Sequence, residues 1–382
     1  MSAPIRVRWS AMGLDPATRA VHAGERRVSG APSAPAIHLA ATYLSAGDPA
    51  ELPYAYGRHG NPTWEALEAA LGELEEATAL VFASGQAASF ALVAALTEER
   101  PRVLFPHDGY YGTRALARML ERRGVEPAVV DLTDLGAVER ELARGAAAIW
   151  AETPTNPFLR VQDLGALARL ARRAGARLVV DNTTATSALQ RPLELGADAT
   201  VTSLTKAAAG HADVVLGSIS TRDAALLERL RAWRTHAGGI AGPVEAWIAL
   251  RGLRTLPLRI GRQSETALAL AQRLERDPRA RRVHYPGLAG ACLELARAQM
   301  PRGFGPLLSF EVEGGAAAAE AVVRGSRLIR PGTSFGGVES SWERRARWKG
   351  EDAPEGLIRL SVGIEDGADL ARDLDMALAA LG

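Results

Sequence analysis

The chain has 382 residues, 47% of them hydrophobic and 23% charged, enough for two or three domains of roughly 100–200 residues each and a sizeable buried core. No apolar run approaches the roughly 20 residues of a membrane-spanning helix, and 45 basic against 44 acidic residues leave a net charge of +1, which excludes a chain-wide electrostatic footprint for nucleic acid or an acidic membrane. The one cysteine, Cys292, excludes an intrachain disulfide framework and a thiolate metal cluster; a small-molecule partner and a cytoplasmic location are expected, and the stretch from Met1 to Ala20, charged and proline-containing, does not read as a secretory signal.

Residues 1–60 carry Pro4, Pro16, Pro32, Pro35, Pro49 and Pro53 with few periodic apolar positions, which predicts an irregular arm lying on something else. From Asn61 the pattern changes. Trp64, Leu67, Leu71 and Leu74 recur at helical spacing behind the start signals Asn61, Pro62 and Thr63. Short apolar runs suited to buried strands follow at Ala79–Ala83, Val103–Phe105, Ala128–Leu132, Ala147–Ala151, Leu178–Val180, Ala199–Thr202 and Val214–Ser218, with helical stretches between most of them. This alternation predicts an α/β domain over residues 61–245, with a mostly parallel seven-stranded sheet covered on both faces. A Gly/Pro break after Gly238 suggests a boundary, and residues 246–382 read as a smaller α+β domain with strands at Leu307–Val312 and Leu357–Val362 and a closing helix from Ala368.

Open α/β sheets bind ligands outside the carboxyl ends of their strands, so the polar residues that follow apolar runs form the candidate site. They are Ser84-Gly85-Gln86, Glu152 with Asn156, Asp181-Asn182-Thr183, and Ser203, Thr205 and Lys206. Lysine occurs only at positions 206 and 349, the other 43 basic residues being arginine. An ammonium can lose its proton and act as nucleophile or base, whereas a guanidinium stays charged. Lys206 is therefore the candidate nucleophile, and Lys349, in a polar stretch, a surface residue. A ligand with a carbonyl for the amine, a ring nitrogen for Asp181 and a phosphate for the Gly85 turn would use all three places, and pyridoxal phosphate has those groups. Histidines show no metal-ligand spacing, and no Walker loop or dinucleotide glycine fingerprint appears. His211 reads as a structural hydrogen-bonding residue.

Thr202-Ser203-Leu204-Thr205-Lys206, followed by Gly210-His211-Ala212-Asp213, resembles the cofactor-lysine signature of the Cys/Met-metabolism (transsulfuration) enzymes of pyridoxal phosphate fold type I. The resemblance extends through Tyr54-Ala55-Tyr56-Gly57-Arg58, Ser84-Gly85, Glu152-Thr153-Pro154-Thr155-Asn156-Pro157, Asp181-Asn182-Thr183, Ser334-Phe335-Gly336-Gly337-Val338-Glu339-Ser340 and Arg359-Leu360-Ser361. It implies that Lys206 carries pyridoxal 5'-phosphate covalently and serves as base at Cα, with Tyr110 stacked on the ring as a second catalytic group. Asp181, with Thr183 beside it, would meet the ring nitrogen. Gly85, Gln86, Ser203 and Thr205 would hold the phosphate, Tyr56 and Arg58 would reach the phosphate of a neighbouring subunit, and Asn156 would bond near the ring oxygen. Arg359 and Ser334 would clamp the substrate carboxylate. A dimer with shared sites, assembling into a homotetramer, is the implied state.

The implied activity is elimination on a sulfur amino acid, foremost cystathionine γ-lyase, which yields cysteine, ammonia and 2-oxobutyrate. Cystathionine γ-synthase, cystathionine β-lyase and methionine γ-lyase are alternatives, and a catalytically silent scaffold is the alternative of another class. Glu339 is read as a partner for a distal ammonium, favouring cystathionine, or as a helix cap. Departures from the family pattern fall at Ala207-Ala208-Ala209, Gln86 and Tyr111. The alanines and Phe335 are expected beside the substrate.

Overall fold

The first helix with a full apolar stripe, α2 (Pro62–Glu75), follows the short α1 (Pro16–His22) and starts where the sequence says it should. Asn61 accepts a hydrogen bond from the Thr63 amide, Pro62 occupies the first turn, and Trp64, Leu67, Leu71 and Leu74 are buried. The computed structural model describes residues 9–25, 29–30, 32–290 and 292–382. The opening residues of the expected arm, and of the Met1–Ala20 stretch, lie outside the described residues.

Strands and helices then alternate as β1 (Thr78–Phe82), α3 (Gly85–Leu96), β2 (Arg102–Pro106), α4 (Tyr111–Glu121), β3 (Glu126–Val130), α5 (Leu135–Leu142), β4 (Ala148–Glu152), α6 (Leu164–Arg173), β5 (Arg177–Asp181), α7 (Thr186–Leu189), β6 (Ala199–Ser203) and β7 (Gly217–Thr221). The seven strands form one sheet in the order β1-β7-β6-β5-β4-β2-β3, in which only β7 runs against the rest. Trp150 and Val179 pack on one face with Phe82, Leu92 and Leu230, while Ile149 and Leu178 pack on the other with Leu104 and Leu167. Burial on both faces explains why the central strands read as continuous apolar runs.

Two strands of the large sheet begin two or more residues from the expected position. β3 is an edge strand that opens with Glu126 and Pro127, positions an edge tolerates but an apolar-run reading skips. β7 starts at Gly217 because the backbone of Leu216 is already engaged with the Thr205 hydroxyl.

After α8 (Ala224–Ala237), α9 (Pro243–Leu253) and α10 (Leu256–Glu275), the chain builds a second sheet from β8 (Ala280–His284), β9 (Leu307–Val312), β10 (Arg330–Pro331), β11 (Ser341–Arg344) and β12 (Leu357–Ser361), with α11 (Leu293–Gln299), α12 (Gly315–Gly325) and α13 (Gly367–Leu378) between and after them. Its order is β10-β11-β12-β9-β8. Phe310, Trp342 and Leu360 pack against Leu270, Leu274, Val322 and Leu374 of the helices. β8, β10 and β11 lack an apolar run, so the sequence reading passed over them. No helix is long and apolar enough to cross a membrane among the described residues.

Candidate active site

Ladder register pairs Glu152 of β4 with Asp181 of β5, and Asp181 with Val201 of β6. Both carboxylates and the turn after Ser203 therefore leave the large sheet side by side. Asp181 Oδ1 accepts from the Thr183 amide at 3.0 Å and its hydroxyl at 2.5 Å, a turn that Asp favours. The same hydroxyl accepts from the Ser203 amide at 2.9 Å, so Thr183 ties the end of β5 to the end of β6.

The turn carrying Lys206 is clamped from beneath. Arg259 of α10 donates to the carbonyls of Ala207, Ala208 and Gly252. Gly210 has φ +77°, and a Cβ there would lie 1.9 Å from the Arg259 guanidinium, so only glycine fits. Lys206 Nζ donates to Ser334 Oγ at 2.7 Å and sits 5.3 Å from the centre of the Phe335 ring. Burial, with Arg359 nearby, lowers its pKa to about 8.

The opposite wall comes from the second sheet. Ser334 holds φ +80°, a conformation that costs a residue with a side chain roughly 1–3 kcal/mol. It presents its hydroxyl to Lys206 and its carbonyl to Arg359. Arg359 on β12 is paired in register with Glu343 on β11, and donates to Asn156 Oδ1 at 2.9 Å, Ser334 O at 2.8 Å and Glu343 Oε1 at 2.8 Å. Its Nε is buried without a partner.

Glu343 is fully buried. Besides Arg359 it binds Arg345 Nη1 at 2.5 Å, Trp348 Nε1 at 2.8 Å and Arg347 Nη2 at 2.8 Å, and Arg345 also binds Glu351. Burial pushes the Glu343 carboxyl up, but Arg359, the indole and Arg345 outweigh it, and the group stays below the usual carboxylate range.

Glu152 organises the other end. Oε2 accepts from the Tyr110 amide at 2.6 Å and Oε1 from the Asn156 amide at 2.9 Å. Burial raises the carboxyls of both Glu152 and Asp181, and the charge of Asp181 raises Glu152 further. At Asp181 the Thr183 hydrogen bonds, followed by the charge of Lys206, oppose the rise. Tyr110 opens α4, and burial raises its phenol.

At the start of α3, Ser84 caps the Ala87 amide at 3.0 Å and leaves the amides of Gly85 and Gln86 without a side-chain acceptor, an arrangement suited to an anion. A Cβ on Gly85 would lie 3.0 Å from the Ser203 Cβ, so the helix end and Ser203 approach closely. Gly85, Gln86, Tyr110, Glu152, Asn156, Asp181, Thr183, Ser203, Lys206, Ser334, Arg345 and Arg359 line one cavity of about 390 Å³ together with Tyr111, Thr113, Val215, Trp348 and Phe335. A wider depression of about 880 Å³ along α2 offers carboxylates and arginines but no amine.

Lys206, Tyr110, Asp181, Thr183, Gly85, Gln86, Ser203, Thr205, Asn156, Arg359 and Ser334 thus converge on one cavity. Several details correct the sequence reading. Thr205 lines the cavity, but its hydroxyl bridges the amide and carbonyl of Leu216 at 3.0 and 3.1 Å and is spent on the fold. The Gln86 side chain turns to Gly112 O at 3.0 Å, leaving only its amide for an anion. The carboxamide oxygen of Asn156 is committed to Arg359.

Glu339 does not reach the cavity lining. It lies 3.1 Å from Arg330 with its side chain 42% exposed, off the cavity lining where a distal ammonium was expected to meet it. Ala207, Ala208 and Ala209 sit in the hydrophobic core behind Lys206 and off the cavity lining, and only Phe335 of the suspected specificity positions lines the cavity. His211 places Nδ1 2.8 Å from Ala209 O, a local structural bond. Tyr56 and Arg58 stand outside the cavity of their own chain, with Arg58 donating to Thr235 O at 3.0 Å and lying 5.4 Å from the Tyr56 ring.

Sequence reasoning overlooked Glu343, Arg345 and Trp348, and left Glu152 without a role. The position of Glu152 at the end of a buried strand was a usable signal. Glu343 had none, because only its register opposite Arg359 reveals it.

The profile of the Cys/Met metabolism PLP-dependent enzymes matches residues 17–379. Cystathionine γ-synthase of Mycobacterium tuberculosis is 41% identical over 95% of this chain and 96% of its own length. Cystathionine γ-lyase of Bacillus subtilis is 38% identical over 92% of this chain and 95% of its own. The crystal structure of apo CalE6, a methionine γ-lyase of Micromonospora echinospora, superimposes with a TM-score of 0.90 at 43% identity, covering 96% of this chain and 100% of that one.

Proposed function

Because the chain belongs to the Cys/Met metabolism PLP-dependent enzymes, a family whose cofactor is pyridoxal 5'-phosphate, we propose that it is a carbon–sulfur lyase that removes the Cγ thiol substituent of an L-amino acid, cystathionine foremost. The observation that carries this reading is the convergence of Lys206, Asp181 and Arg359 on one cavity.

The residues present fit the cofactor. A desolvated amine with pKa about 8 is available to its carbonyl, the Asp181 carboxyl to its ring nitrogen, and the Gly85 and Gln86 amides with the Ser203 hydroxyl to its phosphate. Bound there, the cofactor supplies an electron sink for a carbanion at Cα. Asp181, oriented by Thr183, would meet the ring nitrogen and favour its protonated form. Arg359 and Ser334 fix the substrate carboxylate and so orient Cα. Lys206 would hold the cofactor and, once the substrate amine has displaced it, would take the Cα proton; removal of a second proton from Cβ then lets the Cγ–S bond break and the thiol leave with a proton. Tyr110, at the start of α4, would cover the ring.

We extend the reading to a dimer in which Tyr56 and Arg58 serve the cavity of a second copy. The arm from residue 32 to 60 supports this, because it rests on α2 and α9 through Asn61 and Trp247 while Leu39 and Leu44 stay exposed at 77% and 104%. The division at residue 245 accompanies it as a proposal.

A second reading, in which the sulfur substituent is small and apolar as in methionine, is favoured by the aromatic lining of Tyr111, Phe335 and Trp348. Product analysis decides: 2-oxobutyrate from cystathionine is expected, and pyruvate would assign cleavage at Cβ instead. A cofactor-loaded protein that forms cystathionine from an O-acylhomoserine and cysteine, yet cleaves neither cystathionine nor methionine, would overturn the lyase reading.

A further inference from the structure

Trp348 belongs to a segment that the fold fixes from both sides. Glu343 receives Arg345, Arg347 and the Trp348 indole N–H, Glu351 locks onto Arg345, and on the far side Arg114 of α4 donates to Gly350 O at 3.5 Å. The segment is therefore a rigid wall of the cavity, reaching across to the helix that carries Tyr111. With its N–H spent on Glu343, the indole has only hydrocarbon left for the cavity, and Tyr111, Phe335 and Val215 continue that lining.

The carboxylates near this wall are committed. Glu343 and Glu351 are bound by arginines, Glu152 accepts two backbone amides, and Asp181, bonded by Thr183 through Oδ1 alone, is taken by the ring nitrogen in the reading above. A distal ammonium thus finds no free acid on the cavity lining among the described residues. The volume of about 390 Å³ lies near the lower end of the roughly 300–1,000 Å³ usual for ligand sites, and cofactor and substrate must share it.

We infer that Trp348 is a specificity-determining residue that favours compact, apolar sulfur substituents over bulkier charged ones. The inference rests on the lyase reading above in its second form, with a small apolar sulfur substituent rather than cystathionine foremost, and names the side chain that sets that preference.

The test compares the holoenzyme with Trp348→Ala and Trp348→Phe, measuring kcat/KM for L-methionine and L-cystathionine at equal cofactor content. In Trp348→Ala the methionine-to-cystathionine ratio should fall about tenfold or more, the scale on which pocket shape discriminates; in Trp348→Phe it should stay near the wild-type value. Equal loss for both substrates would reduce Trp348 to a structural role and overturn the assignment. Binding of the same two amino acids to cofactor-loaded Lys206→Ala, with and without Trp348→Ala, reads the ratio without turnover. If wild type turns over neither amino acid but the binding ratio still shifts, the lyase reading fails and the Trp348 assignment stands. An unshifted binding ratio overturns the assignment whatever the turnover.

Discussion

The two ends of the cavity solve the burial of charge in opposite ways. At the end made by the large sheet, Glu152 and Asp181 sit side by side in register, stabilised by backbone amides and the Thr183 hydroxyl. Burial and mutual repulsion leave that end ready to receive a cation. At the end made by the small sheet, Arg359, Arg345 and Arg347 surround Glu343, with Glu351 behind. That end has cationic charge to spare and an unpartnered Arg359 Nε. Between them lies Lys206. A cavity polarised this way matches a ligand pair with a protonated ring nitrogen at one end and a carboxylate at the other, and it explains why the site needs both sheets.

The largest expected effect falls on the group between the ends. Lys206→Ala should lower kcat on the order of 10⁴-fold, the upper range for a positioned acid or base, and abolish the borohydride-sensitive visible band of the loaded protein. Arg359→Lys should lower kcat/KM roughly 10³-fold, about 4 kcal/mol, mostly through KM, because a fork that bonds in three directions becomes a point charge. Cofactor content should hold, and its loss instead would show that the two ends are not separable.

Glu343→Gln leaves Arg359 and Arg345 buried beside a neutral group and should cost about 4 kcal/mol of stability in chemical denaturation. It should also move the Lys206 pKa further down, since Glu343 raises it. An upward shift would refute the charge arrangement.

A carboxylate outside the cavity provides the control. Glu75 is buried with Oε2 unpartnered, and burial raises its pKa to about 7 from 4.5. Between those values the folded state holds more protons than the unfolded one, so the Glu75 contribution to stability falls as pH rises through that window. Glu75→Gln should therefore gain on wild type from pH 5 to pH 8, by at most about 3 kcal/mol, with turnover unchanged. A constant offset across that range would contradict the assignment. The smallest effect is expected at Thr205→Val, which should cost about 1 kcal/mol through the lost Leu216 bonds and leave cofactor affinity near wild type. A large loss of affinity would return Thr205 to the phosphate.

Much of the large-sheet end was legible in sequence. Residues at the ends of buried strands are announced by the apolar run before them, so Asp181, Ser203 and Lys206 could be collected without coordinates. The arginine end was less so. β11 reads Ser-Trp-Glu-Arg, with nothing to mark its glutamate as buried, because an acid is tolerated inside only where cations converge on it, and those cations come from β12 and the segment that follows β11. Glu339 failed for the mirror reason: neighbouring Ser334 in sequence does not place it in the cavity, since the intervening loop turns at Gly336, with φ +79°, and sends it toward Arg330.

Local information, then, sufficed for the alternating strands and helices, the ends of the central strands and the lysine just after β6, because hydrophobic periodicity and turn chemistry act over a few residues. The pairing of the two sheets across Lys206, the left-handed Ser334 and the Glu343 cluster were decided only when distant segments met, because the free energy of a buried charge depends on every group around it and not on its neighbours in the chain.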